Sequence, residues 1–259
     1  MSRVLKLTIS YDGTRFVGWQ RQAQGLSIQG LLEDAMARFE GGSVTLHGAG
    51  RTDAGVHALG QVASTHVTCA HTTGTLTRGL NACLPPDVRV TNVEDVAADF
   101  HARFSARSKT YRYLIRNAPI VSPFERPYVW HVLEPLDMAA MREAAHALVG
   151  THDFSSFRSA GSAITSAVRN VTESEIRPFI GELTPAGPAR GDHTMFAYEV
   201  SASGFLRHMV RAIVGTLVET GRGRRTAASM AKLLSSGSRA EAGPTAPPHG
   251  LFLVRVDYD

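Results

Sequence analysis

The stretch Gly48-Ala49-Gly50-Arg51-Thr52-Asp53-Ala54-Gly55-Val56-His57 gathers several glycines, one guanidinium and one carboxylate into a single short run. Glycine-rich loops often hold phosphate, but this one does not fit the dinucleotide pattern G-x-G-x-x-G. Asp53 stands where the third glycine would be, and the residues after the loop read as a strand rather than a helix whose N-terminus could bind pyrophosphate. The Walker pattern is absent as well. What remains is a tight loop that presents Arg51 and Asp53 two residues apart, a way to hold one carboxylate rigidly beside a guanidinium. The plainer alternative is an Asx-type turn with an incidental arginine.

Metal and redox chemistry find little support. Among the 11 histidines, His66 and His71 with Cys69 form one conceivable metal group, but alternation along a strand end does not converge the three on one ion. Cys69 and Cys83 are the only cysteines, too few for a disulfide framework or a four-thiolate zinc site, and both are expected as buried, reduced thiols. There is no H-E-x-x-H and no paired C-x-x-C. No cofactor is therefore expected.

Charge points to a partner. The chain of 259 residues carries 27 basic and 23 acidic side chains, and all the basic ones are arginine except Lys6, Lys109 and Lys232. Arginine forks suit phosphate, although codon bias in a GC-rich genome would give the same skew. Two local runs stand out. From Phe100 to Pro127, Arg103, Arg107, Lys109, Arg112, Arg116 and Arg126 face only Glu125; from Gly204 to Arg225, Arg207, Arg211, Arg222, Arg224 and Arg225 face only Glu219. Each is either a solvated face or a binding surface for a polyanion. With 43% apolar and 19% charged residues, no uncharged run long enough to span a membrane, and Lys6 where a signal peptide needs apolar residues, the chain is expected to be an unprocessed cytoplasmic protein.

Positioning these residues requires ordered elements. Leu5, Leu7, Ile9 and Tyr11 alternate through Arg3–Tyr11, a strand closed by the turn chemistry of Asp12-Gly13-Thr14. Ser27 caps a helix in which Ile28, Leu31, Leu32, Ala35, Met36 and Phe39 recur at helical spacing until Gly41-Gly42. Strands are expected at 43–49, 60–67, 88–93 and 109–116, the last placing Tyr111, Tyr113 and Ile115 on one face. Pro119, Pro123 and Pro127 mark 117–127 as a connector. Beyond it, Asp137 caps a helix ending at Gly150, strands 167–176 and 195–202 form a hairpin around the loop 184–193, and two further helices occupy 204–220 and 227–235. A strand at 251–258 closes the chain. The pattern predicts an α+β fold of two similar mixed halves with a largely antiparallel sheet. The expected division is an N-terminal domain, 1–105, carrying the Asp53 loop, and a C-terminal domain, 106–259.

The glycine-rich loop has company. Together with Tyr11-Asp12-Gly13-Thr14, Gly18-Trp19-Gln20, Phe100-His101-Ala102-Arg103-Phe104-Ser105-Ala106, Lys109-Thr110-Tyr111-Arg112-Tyr113, Phe205-Leu206-Arg207-His208-Met209-Val210-Arg211 and Pro244-Thr245-Ala246-Pro247-Pro248-His249-Gly250-Leu251, it closely resembles the tRNA pseudouridine synthase A (TruA) family, in that order from Tyr11 to Tyr258. The resemblance implies a pseudouridine synthase-like fold and isomerisation of uridine to pseudouridine in the anticodon stem-loop of tRNAs, at nucleotides 38–40. That reaction breaks the N1 glycosidic bond, turns the uracil and joins C5 to the same sugar carbon, so no atoms are gained or lost. It needs an ionised carboxylate near the ribose, as nucleophile or base.

By position within the family's motifs, Asp53 matches the catalytic aspartate, Arg211 its basic partner and Tyr111 the active-site tyrosine that stacks on the target base. Leu251 matches the apolar wall of the site, and Arg51 the arginine that replaces the extracted uridine. Arg103, Arg107, Lys109 and Arg207 would contact the RNA backbone. The family also implies a homodimer that holds the tRNA jointly. A catalytically silent tRNA-binding or chaperone protein on the same fold is the rival reading, and an RNA-modifying enzyme with another target a second. Because the chain carries no metal or nucleotide motif, synthase activity on a short anticodon stem-loop is expected to survive exhaustive chelation and gel filtration. Activity lost to EDTA and restored only by a transition metal would contradict this.

Overall fold

The structure is a computed structural model that describes residues 2–159, 166–179 and 195–258. It divides into two compact units, one made of Met1–Lys109 and Phe252–Asp259, the other of Thr110–Leu251.

The first unit opens with strand β1 (Arg3–Tyr11), whose Val4, Leu5, Leu7, Ile9 and Tyr11 are buried. Helix α1 (Ile28–Glu40) starts where Ser27 Oγ accepts the Gly30 N–H and ends where the Gly41 N–H reaches the Ala37 carbonyl at 3.0 Å. The first two N–H groups of α1 are satisfied from outside the helix, by the Gly18 carbonyl at 3.2 Å and the Trp19 carbonyl at 2.9 Å. The strand expected at 43–49 is only the two-residue β2 (His47–Gly48). The preceding backbone finds side-chain partners instead of a ladder: Glu33 accepts the Leu46 N–H, Gln29 donates to the Leu46 carbonyl, and Thr65 donates to that of Thr45. Strand β3 (His57–Val67) begins three residues before the expected start at 60.

Helix α2 (Thr73–Cys83) has no counterpart in the sequence reading. Its first turn is Thr-Gly-Thr and only Leu76 and Leu80 are buried, so its apolar stripe is too thin to read as helical. Strand β4 (Val88–Val96) completes this part of the chain, and β4 and β3 flank β1 on either side, both antiparallel to it. Phe252 and Leu253 of the closing strand pair in parallel with His57 and Ala58. Contrary to expectation, neither cysteine is buried: Cys69 is half-buried and Cys83, the last residue of α2, is exposed.

In the second unit, strand β5 (Ser108–Asn117, entering the unit at Thr110) pairs in parallel with a short β6 (Trp130–Val132), and the stretch between them is turn without regular elements, as its prolines require. Helix α3 (Met138–His146) is capped by Asp137, which accepts the N–H groups of Ala139 and Ala140 at 2.9 and 3.0 Å. It stops before the expected Gly150, which instead opens β7 (Gly150–Asp153) with φ +117°. Strands β8 (Val168–Pro178) and β9 (Met195–Ala202) pair antiparallel as the expected hairpin, while the loop 184–193 assigned between them lies outside the described residues. The strand order is β5-β9-β8-β7.

Helix α4 (Met209–Gly221) begins five residues later than expected. His208 takes the left-handed conformation, φ +62°, and so turns the chain at a point the apolar pattern had carried straight through; Phe205 therefore precedes the helix. Every residue of α4 except Arg211 and Glu219 is buried. Helix α5 (Ser229–Ser236) and strand β10 (Leu251–Asp257) complete the chain. Both units are thus α+β with largely antiparallel strands. Among the described residues no helix is long and apolar enough to cross a membrane.

The Ser27 cap matters because α1 also anchors the Gly18-Trp19 segment. Ser27→Ala is expected to cost about 1 kcal/mol, read as a lowered denaturant midpoint at unchanged slope. An unmoved midpoint would mean that the Gly18 and Trp19 carbonyls alone fix the start of the helix.

Candidate active site

Asp53 lies between β2 and β3, in a loop whose backbone is fastened almost residue by residue. The Ala49 N–H donates to the Val62 carbonyl at 2.7 Å, and Gln61 Nε2 donates to the Gly50 carbonyl at 2.9 Å. The Thr52 carbonyl accepts the Trp19 N–H at 3.0 Å, and Thr52 Oγ1 lies 2.7 Å from the Tyr11 hydroxyl. The Asp53 carbonyl accepts the Val56 N–H at 3.1 Å, closing a tight turn over Ala54 and Gly55. In this loop Arg51 is exposed and Asp53 half-buried.

Two glycines make the fastening possible. A Cβ on Gly18, at φ +108°, would stand 2.6 Å from the Thr52 carbonyl oxygen and 3.1 Å from the Asp53 carbonyl carbon. A Cβ on Gly13 would stand 2.0 Å from the Val56 carbonyl oxygen. Both motifs singled out around them, Tyr11–Thr14 and Gly18–Gln20, thus serve to press backbone against the Asp53 loop.

The supports behind the loop are buried. Tyr11 is 4% exposed, and burial raises its pKa to about 12 against the opposing bonds from Thr52 and Gln61, so its hydroxyl keeps its proton. His57 is 1% exposed; its Nδ1 accepts the Gly13 N–H at 3.0 Å, lies 3.2 Å from the Asp12 carboxylate, and its ring stacks on Phe252 with centroids 4.8 Å apart. The pairing register of β1 against β3 shifts between Ile9 and Tyr11, which sets the Tyr11 side chain over Thr52. Tyr11, Gln61 and His57 carried no role in the sequence reading. Their signal is weak: Tyr11 and Gln61 inside strand patterns look like ordinary core residues, and His57 ends the glycine-rich run with nothing to mark it as a support.

The remaining first-unit candidates sit on the segment 100–109. Arg103 and Arg107 are exposed, while Lys109 is half-buried, its pKa lowered by burial and then by the charge of Arg103. Tyr111, Arg211, Leu251 and Arg207 belong to the second unit. Tyr111 is 7% exposed and meets Phe205 edge-on, centroids 4.9 Å apart. Arg211, one of two unburied residues of an otherwise buried helix, is anchored by a reciprocal pair of bonds: its Nε donates to the Ala246 carbonyl at 2.8 Å and the Ala246 N–H donates to its own carbonyl at 3.0 Å.

The segment 244–251 is held further by the Tyr113 hydroxyl, which donates to the Pro247 carbonyl at 2.8 Å, and by His249 Nε2, 3.0 Å from the Val129 carbonyl. Leu251, buried, ends it. The structure therefore brings Arg211, Tyr113 and the tail into one fastened group. Arg207 is exposed, with the left-handed His208 beside it and the Ser159 hydroxyl 2.5 Å from His208 Nδ1.

Several residues of the basic runs pair with carboxylates. Arg112 pairs with Glu199 at 2.6 Å, Arg116 with the buried Glu125, and Arg222 and Arg224 with Glu219 and Glu134. Arg103, Arg107 and Arg207 are exposed. Among the described residues no group of three or more His, Cys, Asp and Glu side chains is arranged to hold a metal ion.

Comparison with known proteins places the whole chain in context. The family model described as tRNA pseudouridine synthase matches residues 7–105 and 144–259. A protein of Myxococcus xanthus named tRNA pseudouridine synthase A is 48% identical, over 98% of this chain and 91% of that protein. Namesakes from Geobacter sulfurreducens and Solidesulfovibrio magneticus are 44% and 46% identical, over 99% and 98% of this chain and 100% and 90% of their own lengths.

Because Gly18 has both a positive φ and carbonyl oxygen where its Cβ would be, Gly18→Ala is expected to cost about 1–3 kcal/mol in denaturant unfolding. Gly42→Ala, with nothing within 4 Å of the added carbon, is the control and should change stability by less than about 0.5 kcal/mol. Equal stability of the two variants would mean that the Asp53 loop is not pressed against Gly18.

Proposed function

The chain belongs to the tRNA pseudouridine synthase family, and on that premise we propose that it isomerises uridine to pseudouridine in the anticodon arm of tRNA with Asp53 as the catalytic carboxylate. The observation that carries this reading is the Asp53 loop itself: a backbone fastened from Ala49 to Val56 that carries a half-buried carboxylate, Asp53, two residues from an exposed guanidinium, Arg51. An isomerisation through a charge-developing sugar carbon gains most from a carboxylate that need not reorganise as the glycosidic bond breaks. The relatives carry synthase names, which disfavours the silent RNA-binding alternative.

The other roles are carried over from the family's motifs residue by residue. Arg211 is the basic partner of the catalytic carboxylate, and its side chain is anchored by the bond from its Nε to the Ala246 carbonyl. Tyr111 is the ring that stacks on the target uracil, Leu251 the apolar wall, and Arg51 the side chain that fills the place of the extracted uridine. Arg103, Arg107, Lys109 and Arg207 contact the RNA backbone, a role compatible with the exposure of the three arginines. A homodimer working in the cytoplasm, without cofactor, completes the proposal by resemblance.

Asp53→Asn is expected to fold and to bind unmodified tRNA with near-normal affinity, yet to lower pseudouridine formation by at least about 10⁴-fold, measured by nucleoside analysis of digested tRNA. Near-normal yield from the purified variant would remove Asp53 from the mechanism.

A further inference from the structure

Residues 101–107 form a loop braced from within. Ser105 Oγ accepts the His101 N–H at 3.0 Å and the Ser105 N–H returns to the His101 carbonyl at 2.9 Å. His101 Nδ1 accepts the Arg103 N–H at 3.1 Å. The loop is also bolted to the unit beneath: the Ala102 N–H donates to Ser64 Oγ at 3.0 Å, and the Tyr258 hydroxyl donates to the Ala102 carbonyl at 2.8 Å. A loop this rigid has room to turn an apolar side chain inward, as it does with the fully buried Ala102, yet Phe104 stands 76% exposed.

Phe104 is not isolated. Its ring lies 4.4 Å from that of His101, tilted by 36°, and His101 lies 4.9 Å from His47, tilted by 31°. The Arg103 guanidinium sits 5.5 Å from the Phe104 centroid. Burial, then the neighbouring His47 and Arg103, lowers the pKa of His101, so the imidazole is neutral at pH 7 and adds an uncharged face to the pile. No carboxylate occurs between Phe100 and Lys109, while Arg103, Arg107 and Lys109 do. The acidic side chain fastened to this segment, Asp257, is engaged by the Ser108 hydroxyl at 2.7 Å and by Arg255 at 3.3 Å.

We infer that Phe104, backed by His101 and flanked by Arg103, is a stacking seat for an unpaired nucleobase of the RNA substrate other than the target uridine. An exposed aromatic ring in a rigid, cationic loop supplies what an unpaired nucleotide needs: a π face for the base and a guanidinium for its phosphate. A second protein copy suits the patch less well, because burying Phe104 at its centre would also desolvate Arg103. The inference rests on the reading that the substrate is RNA, but not on the role of Asp53.

The test measures binding of an unmodified tRNA transcript across a range of salt, with thermal melting and sedimentation of each variant alongside. Phe104→Ala is expected to weaken binding by about 5- to 100-fold with an unchanged salt slope, since a stacked base releases no counterions. Phe104→Trp should retain the affinity and Phe104→Leu should not, which separates stacking from apolar contact. Arg103→Gln should instead flatten the slope by about 0.7. The seat is overturned if Phe104→Ala binds as the wild type does, if Phe104→Leu restores binding, or if Phe104→Ala changes the subunit composition, which would assign the patch to self-association. A wild-type protein that leaves tRNA uridine unconverted while these binding effects persist would overturn the synthase reading and keep the seat.

Discussion

The first unit is organised around one close approach, that of the Gly18-Trp19 backbone to the Thr52-Asp53 backbone. Loops between strands ordinarily move more than the elements they join. This one is denied that freedom because the Trp19 N–H holds the Thr52 carbonyl while the Gly18 and Trp19 carbonyls hold the start of α1. The helix, the strap and the loop therefore share hydrogen bonds in series. Displacing any one of them leaves buried donors or acceptors unpaired in the next, a cost of about 1–3 kcal/mol for each group. Tyr11 and Gln61 secure the same loop from the strand side, so that Asp53 hangs from a frame rather than from a hinge.

How much of this arrangement is legible in the sequence depends on how local each signal is. β1 and α1 are legible because alternation in the one, and helical spacing, a cap and a terminating glycine in the other, agree within one short window. The Asp53 loop is legible as a motif but not as a structure, since its fastening comes from Tyr11, Gly13 and Gly18, far away along the chain, and from Gln61 on the following strand, residues whose types suit many other roles. The residues 43–46 show the opposite case: their apolar content suggests a strand, yet Glu33, Gln29 and Thr65 satisfy their backbone. The late start of α4 turns on a single left-handed residue, His208, for which no periodicity argument gives warning.

Charge obeys the same logic. Counted along the chain, the two basic runs look alike. In the structure Arg222 and Arg224 of the second run and Arg112 and Arg116 of the first are tied to carboxylates, among them Glu134 and Glu199, which lie outside the runs. Such pairs belong to the architecture of the second unit, where Arg112 and Arg177 share Glu199 across the sheet. Arg103, Arg107 and Arg207 keep their exposure, each on a loop or at a helix start. A local charge count therefore overstates the surface offered to a polyanion, because part of the charge is taken up by carboxylates of the same unit.

The strand β10 has a consequence for biosynthesis. Its residues from Phe252 onward belong to the unit formed by the first 109 residues, and they supply both the parallel neighbour of β3 at His57-Ala58 and the ring on which His57 stacks. A growing chain thus carries the Asp53 loop for most of its synthesis with the edge of β3 beside that loop uncovered. Only once this strand has been made can the unit close, and the contact that closes it spans about three-quarters of the 259 residues. Such a connection is slow to form, because the entropy of closing so long a loop is lost before any pairing offsets it. The unit that carries the candidate catalytic carboxylate is in this sense begun before the other unit and finished after it.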